Sequence, residues 1–235
     1  MYSSERRIAK AVPENERPRL TYNHPMLAGN ALDSLLSVAD QTLRTLFAPA
    51  HSARWPELPP EDDALTPGEK RHAAGLMRVN HAGEIAAQGL YRGQAALSRA
   101  PATRAFLERA ASEEADHLAW CEARLRELGA KPSRLNALWY LGSFGLGAAA
   151  ALLGDAVSLG FVTETETQVE GHLAGHLDRL PAADRRSRKI VEVMKSEESG
   201  HGEAARAHGA TELPMPVPSL MRAAARIMTG TAYWL

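Results

Sequence analysis

The sequence predicts an all-α protein built on a four-helix bundle, with one additional N-terminal helix and one amphipathic C-terminal helix. The first observation is compositional: alanine, leucine, glutamate and arginine are abundant, whereas runs of β-branched residues are scarce. The second is periodic, because long stretches of the chain repeat apolar residues every three or four positions. The third is the placement of proline and glycine, which separates four of these stretches by short connections, as in helix bundles.

Composition and charge limit the classes of function. The 235 residues suffice for one bundle with short additions, and two large domains are not expected. Lys and Arg number 27 against 28 Asp and Glu, so the net charge of −1 offers no general attraction for nucleic acid. The single cysteine, Cys121, excludes an internal disulfide and a zinc ribbon, which fits a reducing compartment.

Residues 1–30 are expected to form a flexible tail. They mix charges of both signs with proline and lack the apolar core of a signal peptide. Because nothing before Met26 has a recognisable role, Met26 is an alternative to Met1 as the start of translation. Residues 31–65 are expected to form a short amphipathic helix, with apolar residues at helical spacing up to Phe47, and then a proline-rich linker.

The four-helix bundle is predicted within residues 66–212. Thr66 and Glu69 frame a helix start signal, a capping box with proline at the first helical position. Gly129 ends the second helix, and prolines punctuate the later connections. The predicted bundle helices span about residues 66–98, 101–129, 135–180 with or without a break, and 184–209. Residues 213–235 are expected to form a proline-stiffened spacer and an amphipathic helix that packs on the bundle or on the membrane.

Charged and imidazole side chains interrupt the apolar stripe of each bundle helix. In the second and fourth helices the interruption is a Glu-x-x-His pair, whose members lie on one helical face. In the first and third helices it is a single glutamate. The inward-facing polar set consists of Glu84, Glu114, His117, Glu166, Glu198 and His201.

These six residues need compensating cations, because four buried carboxylates would otherwise repel one another in an apolar core. One glutamate from each of two helices and Glu-x-x-His from each of the other two are the ligand set of ferritin-like di-iron and di-manganese proteins. Glu114 follows Glu84 by 30 positions and Glu198 follows Glu166 by 32, which indicates two similar halves. The sequence therefore predicts a dinuclear metal site in a ferritin-like bundle.

The glutamates also have a simpler interpretation, in which each lies at the edge of its stripe, solvated or paired with an arginine. A third pair, Glu69 and His72, is not counted among the ligands, because Glu69 serves the capping box and lies roughly 22 Å along the helix from Glu84. The other acidic residues near the motifs fall off the stripes. They are predicted to form a solvated face: Glu113, Asp116, Glu197 and Glu203.

Four segments closely resemble the demethoxyubiquinone hydroxylase family: RVNHAGEIAAQGLYRGQ (78–94), EEADHLAWCEARL (113–125), TETQVEGHL (165–173) and EESGHGEAA (197–205). The resemblance covers about residues 30–235 and implies a ferritin-like fold. It also implies that the same six residues are the ligands of two iron ions. The implied reaction is ring hydroxylation of a polyprenylated methoxy-methyl-benzoquinol, a late step of ubiquinone biosynthesis, with O2 and two electrons from an external reductant.

Two further residues are candidates for a layer around the metals. His172 lies in a segment where the resembled family also carries histidine, and Tyr91 lies two turns from Glu84 on the same face. The alternative for both is an ordinary packing role. Cys121, one turn beyond His117, is expected to be a small buried apolar residue.

Residues 135–154 contain no charged side chain. They are interpreted as a helix in or against the membrane interface, with Trp139 and Tyr140 at headgroup level; the alternative is a buried helix whose glycines allow close packing. With the last helix, this segment predicts peripheral attachment to the cytoplasmic face of the cell membrane, where a polyprenyl quinol resides. The expected partners are that quinol, the membrane surface and other ubiquinone-biosynthesis proteins, and no nucleic acid.

Two other functions compete with the hydroxylase. A ferritin-like protein that oxidises or handles iron would use the same ligands. It would also require an acidic path for the ions and a soluble shell that holds the mineral. The apolar stretch after Pro132 does not favour that arrangement. A non-catalytic, membrane-associated bundle would carry the glutamates as surface charges, and analysis of bound metal separates it from the other two.

Overall fold

The computed structural model describes residues 31–60 and 64–235, and these residues form seven helices and no strand. The predicted tail of residues 1–30 lies outside them. The helices are α1 (Ala31–Phe47), α2 (Pro67–Leu97), α3 (Pro101–Glu127), α4 (Asn136–Leu152), α5 (Asp155–Arg179), α6 (Arg185–Ala207) and α7 (Val217–Ala232). The predicted all-α fold is confirmed.

The four long helices α2, α3, α5 and α6 form the bundle. Helix α2 pairs with α3 and α5 pairs with α6, while contacts of α2 with α5 and of α3 with α6 join the two pairs. One apolar cluster, which includes Leu76, Trp120 and Met194, lies towards one end of the bundle. A second cluster, which includes Leu90 and Leu107, lies towards the other end. The residues between the two clusters are the predicted metal ligands, so the packing of both ends fixes the position of the polar centre.

Local sequence signals set the ends of the bundle helices. At the start of α2 the hydroxyl of Thr66 accepts a hydrogen bond from the backbone of Glu69, whose carboxylate accepts one from the Thr66 backbone, as the capping box predicts. The long apolar stretch is divided at Gly154, whose φ of 113° few residues other than glycine adopt. This turn separates α4 from α5, and only α5 belongs to the bundle.

Helix α4 lies on the outside of α2, and glycines of both helices allow the two backbones to approach closely. A Cβ atom added at Gly89, Gly93 or Gly147 would come within 3.0 Å of a backbone carbonyl oxygen of the opposite helix. The close-packing alternative for this segment is therefore correct for one face of α4. The opposite face is apolar and exposed, with large side chains from Leu138, Leu141, Leu146 and Leu152.

Tyr140 corrects one detail of the membrane prediction. Its side chain is fully buried against α2, and its hydroxyl lies 3.1 Å from that of Thr42 in α1. Tyr140 therefore does not lie at headgroup level, because the glycine-lined contact turns its side of α4 inward; neighbouring Trp139 is half-buried. None of the helices in residues 31–60 and 64–235 is both long and apolar enough to cross a bilayer.

Helices α1 and α7 also lie against α2, outside the bundle. Thr45 of α1 donates a hydrogen bond to Gln88, and Tyr233 after α7 hydrogen bonds to His72. Both helices leave apolar side chains exposed, among them Leu32, Leu36 and Leu43 of α1 and Leu220 and Ile227 of α7. Three additional helices thus cover one side of the bundle and expose an apolar outer surface.

Candidate metal centre

The structure brings all six predicted ligands together between the two apolar clusters. Their donor atoms form two groups of four, and within each group all atoms lie within 4.8 Å of one another. One group is Glu84, Glu114, His117 and Glu198; the other is Glu114, Glu166, Glu198 and His201. Glu114 and Glu198 belong to both groups. The arrangement therefore offers two adjacent positions, each with three carboxylates and one imidazole.

Burial makes these groups unusual for charged residues. The four carboxylates and His117 are buried, and the side chain of His201 is 14% exposed. Both histidines direct Nδ1 inward: that of His117 lies 3.1 Å from Glu114 and 3.2 Å from Glu198. The solvated-edge interpretation of the glutamates is excluded, because these side chains point into the bundle.

Several of these donor atoms lack the hydrogen bonds that a buried polar atom requires. Nδ1 of His201 lies 3.1 Å from Oε1 of Glu114, yet neither atom has a hydrogen-bond partner among the described residues. Oε2 of Glu198 is likewise without one. Buried donors that converge without bonding one another leave room for a cation between them. Carboxylate and imidazole are donors that iron and similar divalent transition metals accept, so the residues fit a metal pair.

The pKa values of the clustered residues are shifted by burial and by the neighbouring charges. Burial raises the pKa of Glu84 and of Glu166 well above the usual range, and the charge of Glu198 raises both further. Burial opposes ionisation of Glu114 as well, but the close contacts of its carboxylate with the two histidines lower its pKa. Burial also lowers the pKa of His201, but Glu114 and Glu198 outweigh it and raise the pKa to about 10. Neighbouring acids and bases can compensate one another only in part, which favours cation binding.

A second layer of acids holds the outer edges of the two histidines. Nε2 of His117 lies 2.7 Å from the carboxylate of Glu197, and Nε2 of His201 lies 2.9 Å from that of Glu113. In each case the acid comes from the other Glu-Glu-x-x-His motif and directly precedes a ligand in the chain. A carboxylate on the outer nitrogen fixes the orientation of a histidine whose other nitrogen binds metal.

The predicted solvated face is therefore wrong for Asp116 and Glu197. Asp116 is buried and accepts hydrogen bonds from the hydroxyl of Ser52, the backbone of Ala53 and the guanidinium of Arg54. These partners come from the linker before α2, so they lie far away in the sequence and outside any helical periodicity. The doubled glutamate in both motifs was the available signal for Glu113 and Glu197. Glu203 is exposed as predicted.

Tyr91 contacts the site directly. Its side chain is fully buried, and its hydroxyl donates a hydrogen bond to Oε1 of Glu166. His172 packs its ring 4.0 Å from that of His176, and its Nε2 has no hydrogen-bond partner within the described ranges. A role for His172 around the metals stays a prediction. Cys121 is buried next to Met194, as expected of a small apolar residue.

A groove with a volume of about 1,010 Å³ connects the cluster with the apolar outer surface. It lies between α2, α4, α5 and α7, and its lining includes Glu84, Glu114, Glu166 and Glu198. Leu138 and Leu146 of α4 and Met221 and Met228 of α7 also line it. The groove thus offers an apolar path to the carboxylates.

The fold and this centre define a class: helical-bundle proteins with a buried carboxylate and histidine cluster able to bind metal ions. Residues 71–232 match the family model described as ubiquinone biosynthesis protein COQ7. The chain belongs to this family. The matched range includes α2 to α7 nearly whole, with all six predicted ligands.

Curated relatives extend the similarity beyond that range. A 3-demethoxyubiquinol 3-hydroxylase of Bordetella pertussis is 57% identical over 206 residues, which are 87% of this chain and 93% of the relative. The protein of the same name from Bordetella avium is 53% identical over 216 residues, 92% of this chain and 100% of the relative. That of Variovorax paradoxus is 55% identical over 205 residues, 87% of this chain and 98% of the relative.

Proposed function

We propose that this protein is a di-iron monooxygenase that hydroxylates the ring of a polyprenylated methoxy-methyl-benzoquinol, a demethoxyubiquinol, with O2 and two electrons. The relatives of the same family carry the name of this activity. The observation that carries the proposal is the groove, because its apolar walls lead to four buried carboxylates. A prenylated ring and a carboxylate metal centre require this combination.

In this proposal the six ligands hold two iron ions. Glu114 and Glu198, which belong to both donor groups, would contribute to both positions. Glu84 and His117 complete one position, and Glu166 and His201 complete the other. When bound, the metal pair supplies the reduction of O2 with two external electrons, so that one oxygen atom enters the ring and the other leaves as water. The protein's part is to keep the donors close, buried and correctly oriented.

The groove is suited to a prenylated aromatic ring. Its volume lies at the upper end of the roughly 300–1,000 Å³ usual for small-molecule pockets. Asn80 lines it one turn before Glu84, and its buried amide oxygen has no hydrogen-bond partner among residues 31–60 and 64–235. We assign this amide to a ring hydroxyl of the quinol, since a buried acceptor without a partner is costly. The prenyl tail then leaves between α4 and α7.

The same geometry supports peripheral attachment at the cytoplasmic face of the cell membrane. Exposed leucines of α4 and apolar residues of α7 lie beside the groove, so docking on a bilayer would bring the mouth of the groove to the lipid. The long tail of the substrate would then pass into the groove without crossing water. Association with other ubiquinone-biosynthesis proteins belongs to the proposal as a further expectation.

Isotope labelling tests the reaction. Iron-loaded protein is supplied with demethoxyubiquinol, a chemical reductant and ¹⁸O2, and the product ring is analysed by mass spectrometry. Incorporation of one labelled oxygen is expected. Glu203→Gln, an exposed change on α6 outside the centre, serves as the matched control for Glu198→Ala. Consumption of O2 by iron with no label in the ring would contradict the hydroxylase and favour the iron-oxidising alternative.

Vesicle flotation tests the membrane proposal separately. Leu141→Glu places a charge on the exposed face of α4, and Leu97→Glu places one at the exposed end of α2 as a control. Wild-type protein and Leu97→Glu should float with vesicles of phosphatidylethanolamine and phosphatidylglycerol, whereas Leu141→Glu should remain in the aqueous fraction. Equal flotation of all three proteins would exclude α4 as the docking surface.

A further inference from the structure

The linker between α1 and α2 lies across the metal centre. Residues 48–60 of this linker, here called the strap, contact α3 and α6 on the side of His117. The guanidinium of Arg54 forms a two-pronged contact with Glu197, with nitrogen to oxygen distances of 2.5 and 2.6 Å. Its third nitrogen lies 3.0 Å from Asp116. One arginine thus joins an acid of α6 to an acid of α3.

Arg54 is itself held in place. Its guanidinium lies over the indole ring of Trp120, 5.3 Å from the ring centre. The indole N–H donates to the Arg54 carbonyl oxygen at 2.8 Å, and the hydroxyl of Ser52 lies 2.8 Å from Asp116. Trp120 is buried beside His117, with ring centres 5.1 Å apart. The strap is therefore fixed at both its backbone and its side chains where it reaches the centre.

The two histidines of the centre differ in how their outer carboxylate partners are held. Glu197, the partner of His117, is 25% exposed and clamped by Arg54, whereas Glu113, the partner of His201, is 50% exposed. His117 is fully buried and His201 is 14% exposed. The ligands come in two similar halves, but the strap covers only one of them. The pseudo-symmetry of the six ligands is thus broken by their surroundings.

We propose that Arg54 is a positioning residue that makes the two metal positions unequal. The position with His117 binds its ion tightly and releases it slowly, whereas the position with His201 binds its ion less tightly and releases it faster. This inference rests on the proposed metal centre. Arg54 locks the carboxylate of Glu197, and Glu197 locks the imidazole of His117. Loss of such an outer partner typically costs 10-fold to 100-fold in metal affinity. Only arginine supplies the planar fork that engages both oxygens of Glu197 while contacting Asp116.

Ferrous iron binding tests this inference without turnover. Full-length protein is freed of metal, titrated with Fe²⁺ under anaerobic conditions, and then challenged with a ferrous chelator while iron release is followed by absorbance. Wild-type protein should release its two ions in two phases. Arg54→Gln should accelerate the slow phase about 10-fold, and Arg54→Lys should lie between the two because it keeps the charge without the fork.

Arg186→Gln is the matched control, because Arg186 ties the other end of the strap to α6 without touching Glu197. Its guanidinium donates to the carbonyl oxygens of Pro59 and Pro60 and pairs with Glu127. Its two release rates should stay within about twofold of wild type, as for changes away from the centre. Glu113→Gln should accelerate only the fast phase.

Three results would overturn the inference: equal release of both ions from wild type, an unchanged slow phase in Arg54→Gln, or equal acceleration by Arg54→Gln and Arg186→Gln. Each leaves the metal centre itself standing. Failure of wild-type protein to bind iron would instead remove the metal centre and the proposed function with it. The two failures are therefore distinguishable by the same titration.

Discussion

Tyr91 of α2 and Glu166 of α5 meet inside the bundle, where the phenol donates a hydrogen bond to Oε1 of the carboxylate. The side chain of Tyr91 is fully buried, and Glu166 belongs to the donor group of His201. The contact joins the two halves of the bundle at the level of the metal centre. It also fixes one carboxylate oxygen of a predicted ligand.

Replacement of Tyr91 by phenylalanine tests this relationship. The variant should lose about 1–3 kcal/mol of unfolding free energy, because a buried carboxylate oxygen loses its donor. Iron affinity should fall by about 10-fold through greater mobility of Glu166. Urea denaturation and anaerobic iron titration measure the two effects. Tyr140→Phe removes a hydroxyl bonded to Thr42 outside the centre and should leave iron affinity unchanged; equal iron loss in both variants would contradict a positioning role for Tyr91.

The shared and unshared carboxylates should respond differently to substitution. Glu198 belongs to both donor groups, whereas Glu84 belongs to one. Glu198→Ala should therefore weaken both positions and abolish hydroxylation, while Glu84→Ala should retain about one iron per chain. Iron content after anaerobic loading and far-UV circular dichroism give the measurement, and helix content should change little. Retained hydroxylation in Glu198→Ala would refute its assigned role, and Glu203→Gln provides the exposed control.

Helical periodicity was sufficient to select the six residues that the structure brings together, because each interrupts an apolar stripe and each motif is local. It could not reveal Glu197, which directly precedes Glu198 and lies about 100° away around the helix, on a face that looks solvated. The partner of Glu197 on that face is Arg54, more than a hundred positions away in the chain. Long-range contacts of this kind follow from how helices assemble and leave no period in the sequence.

The position of α4 shows the same limit. The absence of charge in residues 135–154 indicated an apolar environment. The close-packing alternative is correct for one face of α4, and the location at a membrane interface stays a prediction. One face lies on α2 and the other is exposed. Glycines at 89, 93 and 147 determine which face of α4 packs on α2, because each lies against the backbone of the opposite helix. A glycine in a sequence does not disclose whether it opposes a backbone or solvent.

Two glycines of α4 test that contact. Gly147→Ala would bring a methyl group within 3.0 Å of the Leu90 carbonyl oxygen, whereas nothing lies within 4 Å of a methyl group at Gly145. Gly147→Ala should cost about 1–3 kcal/mol of unfolding free energy through overpacking. Gly145→Ala should stabilise the protein by about 0.5–1 kcal/mol, because alanine favours the helix. Urea denaturation at pH 7 measures both, and equal effects would contradict the described α2–α4 contact.

The buried side chain of His176 is expected to make the fold sensitive to acid. Its side chain is buried, and burial, followed by the charges of His172, Arg179 and His72, lowers its pKa to about 2 from an ordinary value of 6.5. Burial, together with Arg179, lowers the pKa of neighbouring His172 to about 4. Both histidines therefore stay neutral in the folded state at pH values where they are protonated in the unfolded chain.

Above pH 6.5 the histidine is neutral in both states and does not oppose folding. Below pH 6.5 the unfolded chain binds a proton that the folded state excludes, so the free energy of unfolding falls as the pH falls towards the folded pKa. Between pH 6 and pH 4, His176 alone should cost about 1.4 kcal/mol of unfolding free energy per pH unit. His176→Gln should reduce the slope by that amount. Urea denaturation of metal-free protein from pH 7.5 to pH 4.5 gives these slopes. An identical slope in wild type and His176→Gln would show that His176 is protonated in the folded state, since only then would the acid cost vanish.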